Sequence, residues 1–114
     1  MQVREVRPEE REAALNVLDA AMLETDRADE GTLLVAVDEG SVVGALVLVG
    51  DRIDAVAVGR RRRGRGVGSA LVETAGERRE RLVAEFDEGV RPFYESLGFA
   101  VRSVGEGRLR GVRE

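Results

Sequence analysis

Cysteine, histidine, lysine and tryptophan are all missing from this sequence of 114 residues, so every one of its 18 basic side chains is an arginine. Each absence excludes chemistry. Without Cys or His there is no zinc finger, thiol redox pair, cysteine nucleophile or histidine base. Without Lys there is no Schiff base and no phosphate-binding lysine of a P-loop. Acid and base work falls to Asp, Glu, the single Tyr, water or the backbone. Only four aromatic residues occur, too few for the stacking platforms on which single-stranded nucleic acid binds. No stretch approaches the roughly 18 apolar residues of a membrane span, and Met1 to Pro8 carries charges where a signal peptide is apolar. The expectation is a cytoplasmic protein with no membrane and no nucleic-acid partner.

What is present suits one domain, residues 1–114. A hydrophobic content of 43% is ordinary for a globular chain, and at this size about two-thirds of the unfolded surface is buried on folding. The net charge of −4 hides an asymmetry. Residues 1–58 hold 13 acids and 5 arginines, net −8, and residues 59–114 hold 9 acids and 13 arginines, net +4. The second half is therefore the one suited to an anion, and the acidic first half favours a cationic acceptor. Acid excess with arginine as the only base fits a halophile's salt-adapted chain and fits GC-rich coding equally.

Gln2–Val6 reads as a strand. Pro8, Glu9 and Glu10 read as a helix start, with proline in the first turn and acids complementing the dipole. The stripe Ala14, Val17, Leu18, Ala21 and Met22 predicts one buried helical face, in a helix running to about Glu24. Thr32–Val37, Val42–Val49 and Ile53–Val58 are β-branched runs divided by turn residues and predict an antiparallel meander. Val67, Ala70, Leu71, Thr74 and Ala75 predict a second helix over Gly66–Arg81. Leu82–Phe86 then pairs parallel with Ile53–Val58 through a right-handed crossover. A short helix, Arg91–Leu97, stops at Gly98, and Phe99–Val104 with Leu109–Val112 forms a last hairpin. The fold class is mixed α/β, in the order β-α-β-β-β-α-β-α-β-β.

One segment concentrates the chemistry. Strand Ile53–Val58 runs through Gly59 and four arginines, Arg60 to Arg63, into Gly64-Arg65-Gly66-Val67-Gly68-Ser69 and a helix. A glycine-rich turn entering a helix is an anion site: unpaired N–H groups point outward, and no Cβ blocks a phosphate. A flexible arginine-rich loop on RNA is the competing reading. A dinucleotide fingerprint would need glycine where Ser69 stands.

Arg63-Gly64-Arg65-Gly66-Val67-Gly68 fits the pattern Arg/Gln-x-x-Gly-x-Gly and resembles the acyl-CoA pyrophosphate loop of the GNAT superfamily of N-acetyltransferases. Phe93-Tyr94-Glu95-Ser96-Leu97-Gly98-Phe99 is similar to that family's Phe-Tyr-x-x-x-Gly-Phe signature. With the element order, the resemblance covers about residues 1 to 112. It implies a central sheet splayed between the fourth and fifth strands, with acetyl-CoA in the opening. Pantetheine would pair with the backbone of Val56, Ala57 and Val58. The amides of Gly64 to Ser69 would hold the pyrophosphate, with Arg63 and Arg65 adding charge. Some of Arg60 to Arg62 would reach the other phosphate, and at least one would be solvated surface. A backbone N–H near Ala57 or Val58 would face the developing oxyanion. Tyr94 matches the residue that commonly protonates the departing sulfur; its competing reading is a core ring packed between Phe93 and Phe99. Asp87 stands where the family often has Asn and is carried over as a cofactor contact that accepts but does not donate. For the base, Asp54 shares strand parity with Val56 and Val58 and is placed on their side, with Glu85 as runner-up and a water relay as the third option.

The implied function is transfer of acetyl from acetyl-CoA to a primary amine of a small molecule or peptide. The alternative is a catalytically silent acyl-CoA-binding module. Thr25–Gly31 alone links the first helix to the second strand, so a helix that helps wall the family's acceptor pocket is expected to be lost or reduced. That shortened wall, and an edge strand expected at Leu109–Val112, are compatible with a homodimer in which a neighbour closes the site.

Overall fold

The structure, a computed structural model, describes residues 1–21 and 30–114. Strand β1 (Gln2–Glu5) is followed by a 3-10 turn (Pro8–Glu10) and helix α1 (Arg11–Ala20). Then come β2 (Thr32–Asp38), β3 (Ser41–Val49), β4 (Arg52–Val58), α2 (Val67–Arg78), β5 (Leu82–Asp87), α3 (Arg91–Ser96), β6 (Ala100–Gly105) and β7 (Arg108–Arg113). The predicted order of elements is the observed one. The predicted helix end, Met22 to Glu24, and most of the Thr25–Gly31 link lie outside the described residues. No described helix is long and apolar enough to cross a membrane.

The strands form one sheet in the order β1-β2-β3-β4-β5-β7-β6, antiparallel throughout except for the β4–β5 pair. This corrects the expectation of an edge at Leu109–Val112. β7 lies between β5 and β6, and β6, mostly exposed, is the edge. Leu109 and Gly111 explain the placement. Leu109 joins the core, and Gly111 lets Phe86 and Phe99 close over the strand, since a Cβ there would meet their rings at 3.1 and 3.2 Å.

Each face of the sheet has its own core. On one side Ala14 and Leu18 of α1 bury against Leu33, Val35, Ala45, Val47, Ala55 and Ala57. On the other, Val67, Leu71, Val72 and Ala75 of α2 and Tyr94 of α3 pack on Leu34, Leu46, Leu48, Ala84 and Phe86. Gly44 is required by this closeness: a Cβ would lie 2.9 Å from Val67 Cγ1 and 3.1 Å from Leu71 Cδ1. The junction of β1 with α1 is tied by charge. Both guanidinium Nη atoms of Arg4 donate to the Glu10 carboxylate at 2.7 Å, and Oε1 also accepts the Arg7 N–H at 2.9 Å. These donors hold the Glu10 carboxyl at a pKa of about 2.

The feature that shapes the site is a β-bulge. Val47 opposes Ala55 and Leu48 opposes Ile53, leaving Asp54 as the extra residue of β4. A bulge bends its strand and strengthens the local twist. β4 pairs with β5 only at Arg52↔Val83 and Ile53↔Ala84, up to the bulge. Beyond it, Asp54–Val58 and Glu85–Asp87 diverge.

Candidate active site

The divergence leaves one side of β4 unpaired, and strand geometry says which groups face the gap. The Gly59 N–H donates to the Val43 carbonyl at 2.7 Å. Alternation along an antiparallel pair therefore turns Ala57 toward β3 and turns the N–H and C=O of Val56 and Val58 toward the splay. The Val58 carbonyl has a long contact of 3.5 Å from Arg63 Nε, on that open side. Of the two amides expected near the oxyanion, Val58 faces the gap and Ala57 does not.

From Val58 the chain passes through a 3-10 turn, Arg60–Arg62, into the glycine loop. Gly64 (φ +76°) and Gly66 (φ +80°) occupy the left-handed region that favours glycine. Gly66 ends the loop directly before α2, whose first turn no side chain caps among the described residues. The amides of Val67, Gly68 and Ser69 thus open into a cavity of about 560 Å³, lined also by Val56, Ala57, Val58, Arg62, Arg63, Gly64, Gly66 and Phe93. A cofactor diphosphate fits here on three counts: the uncapped helix start, the glycines at 64, 66 and 68 with no Cβ, and two guanidinium groups, those of Arg62 and Arg63. Arg62 is held by Asp38, with Nε 3.6 Å from Oδ2. Arg60, Arg61 and Arg65 are exposed, and Arg65 lies outside the cavity lining.

A second cavity, about 460 Å³, adjoins the first and shares Val56, Val90 and Phe93 with it. Tyr94, Asp54, Glu85, Asp87 and Arg108 line it. Tyr94 is only 5% exposed. Its ring stacks on Phe86 at 4.3 Å and meets Phe93 and Phe99 edge-on at 5.0 and 5.1 Å. Burial pushes its phenol up to about 12, which keeps the hydroxyl protonated. Packing and proton-holding are thus the same arrangement.

The bulge corrects the placement of Asp54. Ile53 lies in the α2–α3 core, and Ala55, two residues on, lies in the α1 core. The parity of β4 therefore reverses between them, and Asp54 does not share a side with Val56 and Val58. Its carboxylate lies 3.9 Å from Arg52, which is 3.6 Å from Glu85 on the α1 side of the sheet. The splay passes through the sheet, so Asp54 still reaches the Tyr94 cavity, from the opposite face. Glu85 accepts from Arg110 at 2.7 and 3.1 Å, and Arg110, with Arg52 and Arg108, holds its carboxyl below the usual range, which weakens it as a base. Asp87 ends β5 and accepts from Arg108 at 2.8 Å, in the Tyr94 cavity and away from the glycine loop. The arginines of the last hairpin and the Asp38–Arg62 pair were not foreseen. Strand alternation marks which residues share a face, but not which strand lies next to which.

A family model described as an acetyltransferase (GNAT) domain matches residues 29–101. No curated protein matches the sequence. Among solved structures, Ard1 from Thermoplasma volcanium is 24% identical with a TM-score of 0.79, over 98% of this chain and 95% of that one. The apo form of YjaB from Escherichia coli is 28% identical with a TM-score of 0.68, over 97% and 94%. A GNAT family acetyltransferase from Elizabethkingia anophelis, solved with acetyl-CoA bound, is 15% identical with a TM-score of 0.78, over 99% and 97%.

Proposed function

This chain belongs to the acetyltransferase (GNAT) family, and from that footing we propose that it transfers acetyl from acetyl-CoA to a primary amine of a small molecule or peptide by direct attack. The observation that carries the reading is the adjacency of two cavities. One is lined by an uncapped helix start and a glycine loop, the other by a buried, protonated phenol, and they join at the splayed strands.

Acetyl-CoA, when bound, supplies an activated thioester. The amides of Val67, Gly68 and Ser69, with Arg62 and Arg63, bind the diphosphate at the helix start. The Val56 C=O and the Val58 N–H, which face the splay, would pair with the pantetheine amides as an added strand. Of the N–H groups facing the splay, that of Val56, which lines the Tyr94 cavity as Val58 does not, is the donor placed to stabilise charge gathering on the carbonyl oxygen. Tyr94 Oη holds the proton that the departing sulfur takes. Its pKa of about 12 keeps that proton in place across the neutral range; because an ordinary thiol sits at ~8.5, transfer to sulfur relies on the same exclusion of water raising the thiolate's proton affinity. Asp54, entering from the α1 face, takes the proton of the attacking amine directly or through water.

Release of free thiol from acetyl-CoA should require an added amine. Tyr94→Phe keeps the ring packing and removes the proton; it should lower kcat by about 100-fold or more, the usual scale of a general acid. Acetyl-CoA binding without turnover on any amine would instead identify a silent binding module, and unchanged kcat in Tyr94→Phe would remove the phenol from the mechanism.

A further inference from the structure

Among the described residues, the half of the sheet formed by β5, β7 and β6 is packed on one side only. Ala84, Phe86, Leu109 and Val101 face the α2–α3 core, while α1 covers β3 and β4 on the opposite side. The side of β5, β7 and β6 facing away from α2 and α3 carries ordered rows of charge. Glu85 stands opposite Arg110, Arg110 opposite Arg102, and in the next row Asp87 opposite Arg108. The two carboxylates are already engaged, Glu85 by Arg110 and Arg52 and Asp87 by Arg108. The Arg102 side chain makes no hydrogen bond or ion pair among the described residues, although it faces Arg110 directly. Like charges directly opposite on neighbouring strands repel, and an anion between them reverses the sign. Arg108 connects this face to the chemistry, because it lines the same cavity as Tyr94 and Asp54.

Resting on the acetyl-transfer reading, we propose that the acceptor amine carries a carboxylate, and that Arg102, Arg108 and Arg110 select it. The ammonium end lies over the splay toward Asp54 and the carboxylate toward Arg108, which lines the same cavity. β7 and β6 stand two and three strand places from β4, about 10–15 Å, so Arg110 and Arg102 reach toward it through the length of their side chains. This departs from the expectation of a cationic acceptor: the molecule that fits carries a carboxylate beside its amine and is not a polyamine. A free amino acid and the acidic start of a peptide share that chemistry, and the test separates them.

The test is the initial rate of thiol release with matched acceptors: glutamate against its diamide, a peptide starting with Asp or Glu against one starting with Ala, and spermidine. Wild type is compared with Arg102→Gln and Arg102→Glu; as an exposed, unpaired residue, Arg102 is replaceable without loss of fold, which circular dichroism checks. The carboxylated member of a pair should show a kcat/KM higher by roughly 10-fold, the worth of one charge-assisted hydrogen bond. Arg102→Gln should raise KM for that member by a similar factor, leaving its kcat and the KM for acetyl-CoA unchanged, and Arg102→Glu should raise it further. Whichever pair responds identifies the source. Spermidine as the best acceptor, or a KM indifferent to residue 102, overturns the proposal and leaves acetyl transfer standing. Absence of turnover on every amine, with acetyl-CoA still bound, overturns both.

Discussion

Tyr94 is clamped among Phe86, Phe93 and Phe99 and is the one residue of its type. With no tryptophan in the chain, phenolate absorbance reports this residue alone. Its folded pKa, about 12, lies above the ordinary 10.0 because burial penalises the charged form. The sign of the linkage follows. The stabilisation is complete below the unfolded value and is lost as pH rises from about 10 toward 12. Spectrophotometric titration should therefore find the native phenol ionising well above the denatured one, and kcat should show no alkaline limb from Tyr94 below pH ~10. Coincident titrations of folded and denatured protein would contradict its burial. The role proposed for the residue rests on its motif. Its raised pKa was not legible there, because it depends on Phe86, which comes from another element.

Local elements carry two further tests. Where β1 meets α1, Glu10 is held at about 2, below its ordinary 4.5, by Arg4 and the Arg7 amide. A depressed carboxyl stabilises the fold above its unfolded pKa and loses that contribution as pH falls toward the folded value. Between pH ~5 and ~2 the thermal midpoint of wild type should fall more steeply than that of Glu10→Gln, which starts lower at neutral pH; parallel curves would show that the pair contributes nothing. At the start of α2, a methyl on Gly68 would sit 3.4 Å from the Phe93 ring and 3.6 Å from Val58 Cγ2, ordinary contact distances. Alanine favours a helix over glycine by up to about 1 kcal/mol. Gly68→Ala should therefore keep or raise the thermal midpoint while raising KM for acetyl-CoA several-fold, since the methyl intrudes where the diphosphate lies; a fall in midpoint with KM unchanged would mean that the cradle is elsewhere. The elements themselves were readable from periodicity, as with the Val67, Leu71 and Ala75 face. The bulge at Asp54 was not. Ile53-Asp54-Ala55 alternates cleanly on paper, and only the register with β3 shows that two residues of β4 answer one.

At the scale of the molecule, the single parallel pair, β4 with β5, is what lets a mostly antiparallel sheet open in the middle. One helix connection separates those strands in sequence, so their parallel sense was legible. The insertion of β7 beside β5 was not, because a hairpin pairs with a sheet through either of its strands. That insertion carries Arg108 to the Tyr94 cavity and Arg110 to Glu85, and leaves β6 as the edge. On the proposed reading, the backbone amides that face the splay and those of the glycine loop hold the cofactor. Residue-resolved amide hydrogen exchange with and without acetyl-CoA tests it most directly. Protection that appears on ligand addition at Val56, Val58 and Gly66 to Ser69, with β2 and β3 unchanged, is the predicted result; a folded sample in which saturating acetyl-CoA leaves those amides exchanging as before would contradict the account.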